Sequence, residues 1–362
     1  MKIAMIGNLD SCLYVYRAEL IEALIQRGHT VYAIAPMSKY EKDLKALGCE
    51  IVNISLDRHG KNIFKELGLI KTFKKVLKEI KPDIVFTYTI KPNIYASMAC
   101  QSLKIPYCIN VTGLGLAVEK KGLMQKLVVF LYKKALKKVK TVFLQNQENL
   151  NFFLSKKIIR DRYQLIPGSG VNLTKFKYSP YPHNDIIKFG FVSRVMKEKG
   201  IDNFLDCAKV IKEKYPNTSF DIYGFCEDEY KGQLDELASQ GIVNYHGLVK
   251  NIEEVYKTLD CLVHPTYYPE GMSNVLLESC ATGRPIITTD RSGCREIVED
   301  GINGYIIKQQ DTADLIEKVE KFINLSWEER EAMGVAGRKK VEKEFDRKIV
   351  INAYLNEIGE GD

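Results

Sequence analysis

The chain has 362 residues, 45% of them hydrophobic and 27% charged, an ordinary globular composition with enough apolar side chains for two cores. No apolar run approaches the roughly 20 residues of a membrane span, and the opening MKIAMIGN reads as a first strand rather than a signal peptide. Nine scattered cysteines with no CxxC pair fit packing in a reducing compartment better than disulfides or zinc, so a cytosolic chain, at most peripheral to a membrane, is expected.

The net charge of +7 is divided unevenly. Residues 1 to 170 hold 28 Lys and Arg against 13 Asp and Glu, and the remainder hold 25 against 33. A basic first half implies an anionic partner: nucleic acid, a membrane surface or a phosphorylated acceptor.

In chain order, Lys2 to Ile6 is a strand, residues 7 to 11 its loop, Tyr14 to Arg27 a helix ended by Gly28, and His29 to Ala35 the next strand. This β-loop-α-β opening suits a Rossmann-like half, but the loop has one glycine where a GxGxxG dehydrogenase fingerprint needs three. The series continues with helix 38 to 47, strand 50 to 54, helix 63 to 80, strand Asp83 to Tyr88, helix 92 to 102 and strand Tyr107 to Val111. Helix 121 to 138, strand Thr141 to Gln145, helix 147 to 154 and strand Tyr163 to Ile166 follow. Residues 167 to 185, broken by prolines and lacking an apolar period, mark an interdomain connection.

A second α/β series starts at Lys188 to Val192. It runs through helix 201 to 213, strand Ser219 to Tyr223, helix 228 to 239, strand Val243 to His246, helix 251 to 258 and strand Cys261 to His264. Helix Met272 to Thr282, strand Pro285 to Thr289 and helices 311 to 324, 326 to 343 and 345 to 358 complete it. The fold class is α/β, with two doubly wound domains around a cleft: residues 1 to 172, residues 173 to 344, and a final helix from 345 to 362.

The candidate chemistry gathers between Asp260 and Tyr305. Glu270 and Glu278 stand eight positions apart, about 12 Å on a helix, near the span from the sugar hydroxyls to the ribose hydroxyls of a nucleotide sugar. The amides of Gly271, Met272 and Ser273 between them open the helix, where a diphosphate would meet the positive end of the dipole. Arg194 and Lys199 follow the first strand of the second domain, a bidentate cation and a point charge suited to clamping a diphosphate. No Asp-x-Asp pair or His cluster offers a metal site, so chemistry without a metal and without a cofactor is expected. Residues 119 to 140 carry eight lysines and one acid around Leu123, Leu127, Val128, Phe130, Leu131 and Leu136, a basic amphipathic segment fit for an anionic membrane surface. Lys65, Lys71, Lys74, Lys75 and Lys78 add a second basic face. Nucleic acid is disfavoured, because no basic strand interleaved with aromatics appears.

These motifs, in this order over nearly the whole chain, resemble the retaining GT-B glycosyltransferases of family 4. The resemblance implies two Rossmann-like domains facing a cleft, with Glu270 on the donor sugar, Glu278 on the ribose and the turn from Gly271 to Ser273 on the phosphates. It places Arg194 and Lys199 on the donor diphosphate and Gly224, Gly247 and Leu248 around the base, although Cys226 stands where a second glycine is usual. The runs YTIKPN (88 to 93) and NVTGLG (110 to 115) resemble a bacterial branch extending lipid-linked oligosaccharide, capsule or O-antigen units. That branch implies UDP as nucleotide, a hexosamine as sugar, and a polyprenyl-diphosphate-linked saccharide at the inner face of the membrane as acceptor. Asn8, Arg17, Lys91, Thr112, Gly113 and Gly115 are the acceptor-side candidates. The usual His of the NVTGLG region is missing, which favours a same-face mechanism without a protein nucleophile. A nucleotide-sugar 2-epimerase of the same fold is the alternative, but its acid, base and His cannot be placed. A non-catalytic subunit would have lost Glu270, Glu278, Arg194 or Lys199, and the sequence keeps all four.

Overall fold

The computed structural model describes residues 1–57, 63–119, 122–183 and 185–361. It divides into two compact units, Met1–Ser169 with Lys348–Asp362, and Gly170–Arg347. In the first, strands β1 (Lys2–Ile6), β2 (Thr30–Ala35), β3 (Glu50–Asn53), β4 (Ile84–Tyr88), β5 (Tyr107–Val111), β6 (Thr141–Leu144) and β7 (Tyr163–Leu165) form one sheet in the order 3-2-1-4-5-6-7. Every pairing in it is parallel. Helices α1 (Asp10–Gln26), α2 (Glu41–Ala46), α3 (Ile63–Ile80), α4 (Ser97–Leu103), α5 (Leu116–Glu119), α6 (Leu123–Ala135) and α7 (Gln147–Ser155) join the strands.

The central strands β1, β2, β4, β5 and β6 are apolar almost throughout because successive side chains go to opposite, buried faces, whereas the edge strands β3 and β7 stay exposed or half-buried. Ile3 and Met5 pack with Leu13, Leu20 and Leu24 of α1, whereas Ala4 and Ile6 pack with Phe73 and Leu77 of α3. Helix α1 begins at Asp10, four residues ahead of the expected Tyr14. The Asp10 carboxylate, fully buried, accepts hydrogen bonds from the amides of Ser38 at 2.6 Å and Tyr40 at 2.8 Å. A contact 28 residues distant fixes that end, which no local propensity announces. The expected helix from 92 opens instead as a π-helical turn, Pro92–Ala96, before α4. Positions 120 and 121 lie outside the described residues, as does the side chain of Lys65.

The second unit repeats the plan. Strands β8 (Ile187–Val192), β9 (Thr218–Tyr223), β10 (Asn244–Gly247), β11 (Cys261–His264), β12 (Ile286–Thr289) and β13 (Gly304–Ile307) line up as 10-9-8-11-12-13, all parallel. The strand β13 was not anticipated from the sequence. Helices α8 (Ile201–Lys214), α9 (Asp228–Ser239), α10 (Ile252–Thr258), α11 (Asn274–Ala281), α12 (Thr312–Ile323) and α13 (Trp327–Glu344) cover both faces.

The last helix, α14 (Arg347–Asn356), packs on the first sheet. Its Tyr354 ring lies 4.6 Å from Phe143 and 5.0 Å from Phe86, and its hydroxyl accepts a hydrogen bond from Asn110 at 2.8 Å. Among the described residues no helix is long and apolar enough to cross a membrane.

Helix α13 approaches the turn after α11 so closely that a Cβ on Gly334 would sit 2.1 Å from the Gly283 carbonyl oxygen. Gly334→Ala is therefore expected to destabilise the protein by roughly 1–3 kcal/mol, reversing the gain that helix propensity alone predicts. Gly232→Ala in α9, with open space around the new methyl, is expected to add about 0.5–1 kcal/mol. Urea titration of the two variants checks the opposite signs.

Candidate active site

In each sheet the strand order reverses beside the first strand, between β1 and β4 and again between β8 and β11. Loops leaving the carboxyl ends of such a strand pair splay apart and leave room for a ligand. In the second unit those loops are 193 to 200 and 265 to 273, which carry Arg194, Lys199, Glu270 and the glycine turn. They are drawn together by their backbones. The Glu198 carbonyl accepts hydrogen bonds from the Tyr267 amide at 3.0 Å and the Thr266 hydroxyl at 3.2 Å. Gly200, with φ of 78°, lies so near Pro265 that a Cβ would meet its carbonyl oxygen at 2.1 Å.

The consequence is an ion pair between the Lys199 ammonium and the Glu270 carboxylate, both largely shielded from solvent. Lys199 also lies 4.9 Å from the centre of the Tyr268 ring. Behind them His264, the last residue of β11, is 1% exposed, with Nε2 3.9 Å from Glu270 Oε1 and neither ring nitrogen hydrogen bonded. Burial pushes the Glu270 carboxyl up, but the charge of the neighbouring Lys199 outweighs it and brings it down to about 2. Burial lowers His264, which stays neutral near pH 7 despite the carboxylate. Glu270 is thus a fixed anion. Arg194 is exposed and makes no ion pair with any described residue.

Glu278 sits four residues into α11 and receives the Tyr256 hydroxyl at 3.0 Å. Desolvation dominates there and raises its carboxyl to about 7, against the lowering effect of Tyr256, Lys175 and Arg347. The two acids of the motif therefore differ in charge at neutral pH.

The turn between them departs from expectation. Helix α11 starts at Asn274, so the helical spacing holds only over its last residues, and Gly271 to Ser273 precede it. The Ser273 amide donates to the Gly293 carbonyl at 2.8 Å and is not free for a phosphate. Its hydroxyl, in contrast, is buried without a partner. Met272 is a core side chain. The amides that helix geometry leaves open are those from Asn274 onward. Gly293, with φ of 89°, packs where a Cβ would lie 2.8 Å from the Gly271 carbonyl, and its amide donates to Glu296 at 2.7 Å. His264, Tyr256, Gly293 and Glu296 were not anticipated. Only His264 left a trace, as one polar residue ending an apolar strand.

At the ends of β9 and β10, Gly224 has φ of 147° with the Ser193 carbonyl 1.8 Å from where a Cβ would stand, and its amide donates to the Gly247 carbonyl. Gly247 has φ of 66°, and the adjacent Leu248 side chain is 76% exposed. Cys226 is buried in the core below.

In the first unit, Asn8 lies in the loop after β1, half-buried. Arg17 is 4% exposed, its guanidinium 3.8 Å above the Tyr88 ring and donating to the Cys12 carbonyl at 2.7 Å. That placement makes Arg17 a packing cation, and pairing with an acceptor phosphate does not follow from it. Lys91 donates to the Asp57 carbonyl. Thr89, within YTIKPN, has φ of 70°, a strained conformation for a β-branched residue at a strand end. Asn93 is structural: it accepts from Thr87 and donates to the Asn110 carbonyl, both at 2.8 Å, tying β4 to β5. Gly113 and Gly115 have φ of 139° and 66°, and Thr112 beside them is half-buried.

A buried carboxyl raised above its ordinary 4.5 binds protons more tightly in the folded state, so stability falls as pH rises from about 4.5 to about 7. Glu278→Gln is expected to remove that fall. Relative to wild type, the variant gains stability between about pH 5 and about pH 8, read as the shift in urea midpoint.

Two family models match the chain, "Glycosyl transferase 4-like" over residues 2–146 and "Glycosyl transferases group 1" over residues 177–340. A Campylobacter jejuni protein described as N,N'-diacetylbacillosaminyl-diphospho-undecaprenol alpha-1,3-N-acetylgalactosaminyltransferase is 26% identical, over 98% of this chain and 97% of its own. An Escherichia coli UDP-Gal:alpha-D-GlcNAc-diphosphoundecaprenol alpha-1,3-galactosyltransferase is 26% identical over 73% of this chain and 70% of its own. Among solved structures, Anabaena HepE in complex with UDP and glucose superposes with a TM-score of 0.79 at 15% identity, covering 99% of this chain and 98% of that one. WaaG, a glycosyltransferase of lipopolysaccharide biosynthesis, gives 0.76 at 18% identity, covering 99% of this chain and 100% of that one. With two parallel-sheet Rossmann-like units and both family models in sequence order, the chain belongs to the GT-B glycosyltransferases.

Proposed function

We propose that this enzyme transfers a sugar, a hexosamine, from a UDP-sugar to a glycan carried on polyprenyl diphosphate, with retention of configuration and without a metal ion. The observation that carries the reading is the Lys199–Glu270 pair at the switch point of the second sheet. Departure of the nucleotide diphosphate builds negative charge on its outer phosphate. Lys199, with Arg194 free beside it, supplies the fixed positive charge that stabilises it. Glu270, held anionic and aimed by Lys199, accepts hydrogen bonds from the donor sugar's hydroxyls. Glu278, less charged and donor-bonded by Tyr256, takes the ribose hydroxyls. The Ser273 hydroxyl, buried and unpaired, and the amides opening α11 receive the phosphates. Gly224 and Gly247 let backbone approach the base beside Leu248. On the first unit, Asn8, Lys91, Thr112, Gly113 and Gly115 line the acceptor side.

The acceptor class rests on the C. jejuni and E. coli relatives, both described as acting on undecaprenyl-diphosphate-linked sugars. It also rests on the surface of α6. Leu123, Met124, Leu127 and Phe130 are 85%, 43%, 36% and 51% exposed on one side of that helix, with Lys126, Lys133 and Lys134 exposed around them. An apolar stripe ringed by cations matches the interface of an anionic membrane. This face holds the enzyme at the inner side of the membrane, where the lipid-linked acceptor resides.

The test is release of UDP from a panel of UDP-sugars, with and without lipid-linked saccharide, in EDTA. Acceptor-dependent release is expected to persist in EDTA and to fall about 100-fold or more in Lys199→Ala, with Glu270→Gln strongly impaired. Conversion of a UDP-sugar into its epimer without acceptor would replace the transferase with an isomerase.

A further inference from the structure

Beyond its apolar stripe, α6 borders a cavity of about 400 Å3 that the transfer reaction does not use. The cavity lies between the chain leaving α6 and the turn that joins α7 to β7. Its rim carries Lys133, Lys137, Lys157, Arg160 and Arg162 against one carboxylate, Asp161. Among the described residues, Lys133, Lys137, Lys157 and Arg160 form no ion pair with a carboxylate. Arg162 is partly engaged, donating to the Val139 carbonyl at 3.2 Å. Below the cations the lining turns apolar, with Val139, Ile158 and Ile159 buried.

Like charges crowded without counterions repel one another, so such a rim is stabilised by a bound anion. The apolar floor selects among anions. A free phosphate or nucleotide has nothing to place against Ile158 and Ile159, whereas a lipid headgroup carries its charge beside glycerol and acyl carbons. The geometry also joins the cavity to the stripe. Lys126 and Lys133 stand seven residues, about two turns, apart on one flank of Leu123, Leu127 and Phe130, and Lys133 belongs to both surfaces.

We propose that this cavity holds the phosphodiester headgroup of an anionic phospholipid, so that membrane contact depends on a specific lipid site and not only on diffuse positive charge. This rests on the membrane-docking reading of α6 and sharpens it. The stripe enters the acyl boundary, and the cavity at its end takes one headgroup.

The test is flotation of the full chain with phosphatidylcholine vesicles, pure or doped with phosphatidylglycerol. Wild type is expected on the doped vesicles only. Lys137→Ala with Arg160→Ala is expected to weaken binding about 30-fold, at roughly 1 kcal/mol per cation. Lys39→Ala with Lys42→Ala removes the same charge beside the opposite edge of the sheet and is expected to bind like wild type. Equal losses in both double variants would reduce the effect to bulk charge and overturn the proposal. So would an unchanged cavity variant when Leu127→Glu with Phe130→Glu has abolished binding. Displacement of wild type by inorganic phosphate, exchanged for chloride at equal ionic strength, would reassign the cavity to free phosphate. Undiminished vesicle binding by the stripe variant would instead remove the α6 stripe from the docking reading and overturn the proposal that rests on it, whereas no binding of wild type to either vesicle would remove the membrane reading itself.

Discussion

The second unit is organised by one ion pair. Lys199 and Glu270 are 71 residues apart, and each sits on a loop at the carboxyl end of a different strand. Holding both charges away from water costs several kcal/mol per ion unless they meet, so the backbone around them is fixed with care. Gly200 against Pro265, the Glu198 carbonyl bound from two sides, and Gly293 against Gly271 are the devices. Each brings main chain closer than a side chain would allow. The result is a carboxylate that stays ionised at physiological pH, with the Lys199 ammonium paired to it.

The first unit solves a different problem. Its strand ends carry buried polar residues, and a chain of hydrogen bonds links several of them: Thr87 to Asn93, Asn93 to the Asn110 carbonyl, Asn110 to Tyr354 and Gln145 to Asn110. Because Tyr354 comes from the last helix, the end of the chain completes a network begun in β4. The motif YTIKPN is thereby divided in function. Tyr88 and Asn93 build the framework, while the strained Thr89 and the half-buried Lys91 are held at the loop where the strand order reverses.

Charge asymmetry becomes geometry on the same unit. On α6, Gln125, Val128, Tyr132 and Ala135 turn inward, leaving Lys126, Lys133 and Lys134 outside together with apolar side chains. A helix that buries one face and exposes apolar residues on the other carries a candidate docking surface besides its core face.

The sequence alone determined the two α/β halves, because strands buried on both faces must be apolar in every position and helices between them must show a period near 3.6. It also offered Glu270 and Glu278 by their spacing across a loop and the helix after it, and Arg194 and Lys199 after a strand, while the family resemblance supplied their roles. It could not decide which side chains were already spent. Arg17 reads as a free cation and is stacked on Tyr88; the Ser273 amide reads as a donor to phosphate and is bound to Gly293. Nor could it foresee His264, whose place at the end of a buried strand looks like packing. These outcomes depend on neighbours dozens of residues away, whose approach is set by strand order and by the few glycines that let backbones touch.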